Sequence, residues 1–220
     1  MFRFARATLV FLCLAVSLYA VAAYGLLPVG ALVHPDMKPA YEARAGAVAL
    51  HVFSAVFALA LGPFQFNAGL RARRPNLHRA MGRLYLGVGV LVGGLSGLYL
   101  ALGAFGGPAA RLGFATLALA WLYTGWKAYA AIRAGEVASH RAWMLRNFAL
   151  TTAAVTLRIY LPASMLAGIP FEVAYPAIAW LCWVPNLLVA AYILGRCHLS
   201  NSPRSRSPMA TSPSSTTPTW

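Results

Sequence analysis

The sequence predicts an all-α integral membrane protein, a helical bundle of six transmembrane helices in which helices 2–5 form a central four-helix bundle. Three observations predict it. Hydrophobic residues make up 60% of the 220-residue chain and charged ones only 10%, against about 25% charged in soluble domains. Nearly uncharged segments recur at residues 7–27, 45–66, 84–104, 112–132, 147–167 and 173–195, each close to the roughly 20 residues that cross a hydrocarbon core as helix. Lysines and arginines then gather on alternate connections between the segments, and that pattern supplies an orientation.

Arg3 and Arg6 precede the first segment and assign it a cytoplasmic start. Its basic beginning and the later Ala-Val-Ala-Ala resemble a signal peptide, but the uncharged run is long for one and favours a retained span. Cleavage would leave five helices in the same orientation. The connection 28–44 balances Lys38 and Arg44 against Asp36 and Glu42. The second segment leads into Arg71, Arg73, Arg74, Arg79 and Arg83. The third carries Gly82, Gly89, Gly93 and Gly97, a spacing that lets helices approach closely and that would also admit a flat cofactor. Residues 106–111 are nearly uncharged, Lys127, Arg133, Arg141 and Arg146 gather around the fourth connection, and 168–172 has no base. Arg196, Arg204 and Arg206 follow the sixth segment. Both termini therefore face the cytoplasm of a cell (plasma or inner) membrane. One membrane domain covers residues 1–198, and a Ser/Thr/Pro-rich tail, 199–220, is expected to be disordered.

Composition also excludes. Asp36, Glu42, Glu136 and Glu172 are the only carboxylates, too few for paired-acid hydrolysis, and Ser54, Ser96 and Ser164 show no base–carboxylate partners. The net charge of +14 borders apolar helices, so it orients the chain in the lipid bilayer and does not mark a nucleic-acid surface. Cys13, Cys182 and Cys197 show neither zinc nor disulfide spacing.

Polar groups at membrane depth are costly and mark bundle interiors or cavities. His51 in the second segment and Arg158 in the fifth lie about two turns from the same outer face, so they either bond to each other or contact one ligand. Each belongs to a stripe at helical spacing: His51, Ser54, Ala58, Gly62 and Gln65 on one helix, and His140, Met144, Asn147, Thr151, Ala154 and Arg158 on the other. Interhelical hydrogen bonding is the alternative use of such stripes.

A second candidate site lies at the opposite end. His78-Arg79 opens the third helix and His140-Arg141 the fifth, with Asn76 and Ser139 as expected N-caps. A weak parallel repeat of helices 2–3 in helices 4–5 would bring His78 and His140 to equal depth, where two imidazoles would ligate the iron of one haem b. Arg83 and Arg146 would neutralise its propionates, and Trp143 or Tyr85 would pack on the ring. The competing reading has the His-Arg pairs contacting lipid phosphate at helix N-termini.

The run from His51 to Pro162 resembles a family of predicted bacterial membrane proteins known as domain of unknown function 2306. The residues that carry the likeness are His51, Gly62-Pro63-Phe64-Gln65-Phe66, Leu77-His78-Arg79, Gly82-Arg83-Leu84-Tyr85, His140-Arg141, Trp143-Met144-Leu145-Arg146 and the run from Val155 to Pro162. The resemblance implies a multi-pass membrane protein with a core at 45–167 and no assigned activity. Three functions stay open: electron transfer with haem or quinone and a redox partner, small-molecule transport, and a non-catalytic scaffold or assembly role.

Overall fold

A computed structural model describes residues 2–201, with side chains described for 4–196; the expected tail beyond residue 201 lies outside the described residues. Among these the chain is entirely helical. The first helix, α1 (Phe2–Leu26), carries no charge after Arg6 and gives way to the Pro28–Gly30 turn, where Gly30 takes φ of 90°. A 3₁₀ turn (Pro35–Met37) and the short α2 (Lys38–Glu42) follow.

The next helix, α3 (Ala45–Gln65), is followed by α4 (Ala68–Arg73), which is capped by Asn67 Oδ1 accepting from the Leu70 amide at 3.1 Å. One span, Pro75–Ala101, then joins three segments: α5 (Pro75–Leu84), a π-helical stretch (Tyr85–Val92) and α6 (Gly93–Ala101). Gly106 and Gly107, both at positive φ, turn the chain into α7 (Gly107–Arg133). The span Val137–Leu166 is broken at Thr152 into α8 (Val137–Thr151) and α9 (Ala153–Leu166). The last span is likewise interrupted, between α10 (Phe171–Leu181) and α11 (Val184–Asn201).

Five helical stretches are long and apolar enough to cross a membrane: Phe4–Leu26, Ala45–Gln65, Pro75–Ala101, Val137–Leu166 and Phe171–Arg196. The fourth apolar segment of the sequence lies within α7, whose 27 residues reach about 40 Å at helical rise. Its Arg111 and Lys127, with Trp121, Tyr123, Trp126 and Tyr129, lower its mean hydropathy below that of the other five.

The helices of the third and fifth segments begin well before their apolar runs, at Pro75 and Val137. The expected caps are displaced with them. Asn76 and Ser139 lie inside helices, and Pro75, with its φ already set for helix, starts α5 behind Arg74. The charge pattern marks where a helix leaves apolar surroundings, not where its hydrogen bonding begins.

Packing follows the small residues. α3 lies against the π-helical stretch and α6, these lie against α7, α7 against α8, and α8 returns to α3. α1 covers α3 and α9, α10 covers α7 and α9, and α11 covers α8. The glycine stripe is filled by protein at its centre: a Cβ at Gly89 would sit 2.7 Å from the Ala58 amide nitrogen. The two helix breaks are tied together. Asn186 Nδ2 donates to Thr152 Oγ1 and Thr156 Oγ1, both at 3.2 Å, and to the Cys182 carbonyl at 3.0 Å, while the Thr156 hydroxyl also donates to that carbonyl.

The two ends of the assembly differ. The weakly charged connections converge: Val33, Met37, Phe105, Ala110, Phe171 and Tyr175 form one apolar cluster. His34 stacks on Phe171 there, with centroids 4.1 Å apart and planes 4° from parallel. We call this the cap end. The arginine-rich connections lie at the other, basic end.

Candidate functional site

Beneath the cap end lies a cavity of about 560 Å³. α1, α3, α6, α7 and α9 all contribute walls, and residues 36–44 with 103–107 form its rim. His51 and Arg158, the two polar residues that the helical stripes place near one face, both line it. They do not bond to each other. His51 Nδ1 lies 2.9 Å from the Gly93 carbonyl, and Arg158 Nη1 donates to the Ala154 carbonyl at 3.0 Å, with its guanidinium 5.7 Å from the Tyr19 ring centroid. The direct hydrogen bond between them is not made, and both side chains border one cavity.

The imidazole is fixed as well as placed. A Cβ at Gly97 would sit 2.9 Å from His51 Cε1, so α6 must carry glycine there for the ring to lie flat against it. Two further arginines line the cavity and were legible in the sequence only as connection charges. Arg111 donates from Nε to the Ala104 carbonyl at 3.4 Å. Arg44 lies 5.9 Å from the Tyr99 ring centroid, its guanidinium in space that a Cβ at Gly103 would take. Tyr41, on α2 above the cavity, has its hydroxyl pKa pushed up to about 12 by burial; Tyr24 adds to the effect and Arg158 partly offsets it. It therefore remains a neutral hydroxyl at physiological pH. Further from the rim the walls are largely apolar, with Leu59 and Leu150 beside Trp121 and Thr151.

A closed polar network lies next to the cavity. Asn147 and Tyr85 are both 0% exposed. Asn147 Nδ2 donates to the Trp121 carbonyl at 2.8 Å and to Thr124 Oγ1 at 2.9 Å, and its Oδ1 accepts from the Tyr85 hydroxyl at 2.7 Å. Thr151 Oγ1 accepts from Trp121 Nε1 at 2.9 Å and lies 2.8 Å from the Tyr85 hydroxyl. Buried polar groups in this arrangement have partners inside the protein, as burial demands. Tyr85, considered as a packing surface for a haem ring, instead spends its hydroxyl here. Trp121 and Thr151 belong both to this network and to the cavity wall.

At the basic end His140 Nδ1 lies 2.8 Å from the Ala128 carbonyl, which leaves Nε2 as the ring's other nitrogen. His78 lies within electrostatic reach of His140, Arg71 and Arg79. His78 Nδ1 and Gln65 Nε2 are buried without a hydrogen-bond partner, and a Cβ at Gly82, one turn beyond His78, would meet Gln65 Oε1 at 3.3 Å. Arg83 is exposed. Arg146 lies 4.7 Å and Lys127 5.6 Å from the centroid of the Trp143 ring, so that ring serves two cations. Neither Trp143 nor Tyr85 is free in the way a haem-stacking role asks.

Cys13 and Cys182 are fully buried and unpaired by disulfide, small apolar fillers of the main core. No curated protein and no solved structure matches the chain. A family model described as "Predicted membrane protein (DUF2306)" matches residues 48–194, about two-thirds of the chain, and the chain belongs to that family.

Proposed function

We propose that this family member is a six-span protein of the cell membrane that receives a small lipophilic molecule in the cavity at its cap end. In this reading α7 is the sixth span, α3, the Pro75–Ala101 span, α7 and α8 form a central four-helix bundle, and residues 1–198 are one domain. The arginine-rich end faces the cytoplasm, as the positive-inside rule asks, and the cap end faces outward. The cavity alone carries the functional half of the proposal. Its volume of about 560 Å³ falls in the range of small-ligand sites, roughly 300–1,000 Å³. It has the right composition too, apolar walls with a few convergent polar groups in His51, Tyr41 and Arg158. A quinone handled for electron transfer and a lipophile handled for transport both fit that description.

Filling the space tests it. Protein purified in a neutral detergent should retain a small lipophile, extractable into organic solvent and detectable by mass spectrometry. Ala154→Trp and Val52→Trp, each directed into the cavity, should lose it while the folded protein is still recovered. Equal retention by wild type and both variants would remove the reading.

A haem between His78 and His140 is a second reading, supported by the Ala128 carbonyl that orients His140 and by the unpartnered His78 Nδ1. It predicts a Soret band in protein from haem-replete cells that disappears in His140→Ala. Colourless wild-type protein would exclude it.

A further inference from the structure

Arg44, Arg111 and Arg158 all border the cavity, and Asp36 is the one carboxylate that does. Among the described residues His34 Nδ1 lies 3.5 Å from an Asp36 oxygen and Lys38 pairs with Glu42 at 3.8 Å; none of the three arginines has a carboxylate within 4.0 Å. Each guanidinium satisfies itself only in part, through a single carbonyl for Arg111 and Arg158 and through aromatic faces for Arg44 and Arg158. Five donors fan out from each such group, so most remain free. Arg44 and Arg158 are also half-buried. A cation withdrawn from water into apolar surroundings is costly unless a counter-charge meets it, and the chain supplies almost none: four carboxylates serve all 220 residues.

The cations are not spread evenly over the wall. Arg44 lies at the rim, Arg111 bonds to the Ala104 carbonyl there and Arg158 lies with His51 just inside, whereas Leu59 and Leu150 line the space about two turns further along their helices. α6 and the turn after it make special room for this arrangement, since Gly97 leaves space for the His51 ring and Gly103, just past the helix, for the Arg44 guanidinium.

We infer that the cavity takes an anionic amphiphile, a carboxylate or phosphate monoester on a single hydrocarbon chain, with the anion held among Arg44, Arg111 and Arg158 and the chain laid along the apolar wall. This deepens the reading of the cavity as a lipophile site and rests on it. It selects against neutral quinones, which bring no charge to the three arginines. Bidentate pairing of guanidinium with carboxylate or phosphate supplies the selectivity. His51 lies beside it, held through Nδ1 by the Gly93 carbonyl.

The test compares head groups on one chain length. Full-length protein in neutral maltoside detergent is titrated with dodecyl phosphate, dodecanoate, dodecanol and inorganic phosphate, and binding is read by calorimetry. Dodecyl phosphate and dodecanoate should bind at least about tenfold more tightly than dodecanol, a factor that one well-placed charged contact readily supplies. Inorganic phosphate should bind at least about tenfold more weakly than dodecyl phosphate, because it buries no chain. The double variant Arg44→Gln/Arg158→Gln should lose the preference for anions and keep its dodecanol affinity. Arg158→Lys, which preserves charge and guards against a folding defect, should retain most of the preference. Equal affinity for dodecanol and the two anions, or a preference that survives the double variant, overturns the anionic assignment while leaving the cavity reading intact. Inorganic phosphate binding as tightly as dodecyl phosphate shows a free-anion site and overturns the amphiphile. If no chain-bearing probe binds, both readings fail together.

Discussion

The polar network around Asn147 and the cavity around His51 and Arg158 adjoin at Trp121 and Thr151, and they use polar residues in opposite ways. In the network, side chains from the π-helical stretch, α7 and α8 satisfy one another, and Asn147 makes three hydrogen bonds with no exposed surface. In the cavity, His51 and Arg158 reach only a main-chain carbonyl each, and open space lies beside them. The difference shows why intramembrane polarity is not by itself a sign of function. Polar groups that find partners in the fold lock helices together, and those left with spare donors facing a cavity are free to meet a ligand.

That contrast can be broken at its tightest point first. Gly89→Leu should be the most damaging change, because its first side-chain atom would already lie 2.7 Å from the Ala58 amide nitrogen. Forcing α3 away should cost about 1–3 kcal/mol or more, read as a loss of folded yield and a lower Tm in detergent. Gly87→Leu is the matched control. A Cβ there meets nothing within 4 Å, so its Tm should stay near wild type, and similar losses in both would show that α6 and the π-helical stretch do not pack on α3 as described.

Asn147→Leu comes next. It removes three hydrogen bonds, which at the average of about 0.6 kcal/mol each for membrane interiors predicts a loss near 2 kcal/mol. Unfolding followed by tryptophan fluorescence or circular dichroism measures it. A neutral outcome would mean that the network is decoration. Asn186→Ala should cost less than Asn147→Leu, because the Thr152 and Thr156 hydroxyls and the Cys182 carbonyl that it leaves behind keep other hydrogen-bond partners.

The smallest effect is expected at the basic end. Trp143→Leu separates the half-buried Lys127 and Arg146 from their shared ring, at about 0.5–1 kcal/mol for each cation–π contact that keeps part of its hydration. It should leave ligand retention in the cavity untouched. A loss of retention there would mean that the two ends are coupled through α8.

Much of this division was legible in the chain. Alternating basic and weakly basic connections anticipate the two ends, and the 3–4 spacing of Thr151, Ala154 and Arg158 identifies a face that meets the cavity; of the His51 stripe only His51 does, since Ser54 and Ala58 pack on Gly93 and Gly89. Periodicity assigns a residue to a face, however, and says nothing about how far two faces stand apart. Asn147 and Arg158 therefore fall on one stripe in the sequence, although one is sealed in the core and the other borders open space. Arg44 and Arg111 were hidden for a different reason: a charge beside an apolar segment reads as an orientation signal, whatever it also lines. The helix breaks at Thr152 and Cys182 were hidden too. They rest on Asn186 reaching across from α11 to Thr152 and Thr156 on α9 and its entry, a contact between residues distant in sequence.

The most direct test measures both regions in one experiment, thermal unfolding of wild type, Asn147→Leu and Arg158→Gln with and without dodecyl phosphate. Asn147→Leu should unfold at a lower temperature yet still be raised by the ligand. Arg158→Gln should unfold near wild type alone and gain much less. If Arg158→Gln instead destabilises the unliganded protein as much as Asn147→Leu and leaves the ligand shift unchanged, the cavity's polar groups are structural and the distinction between the two regions is wrong.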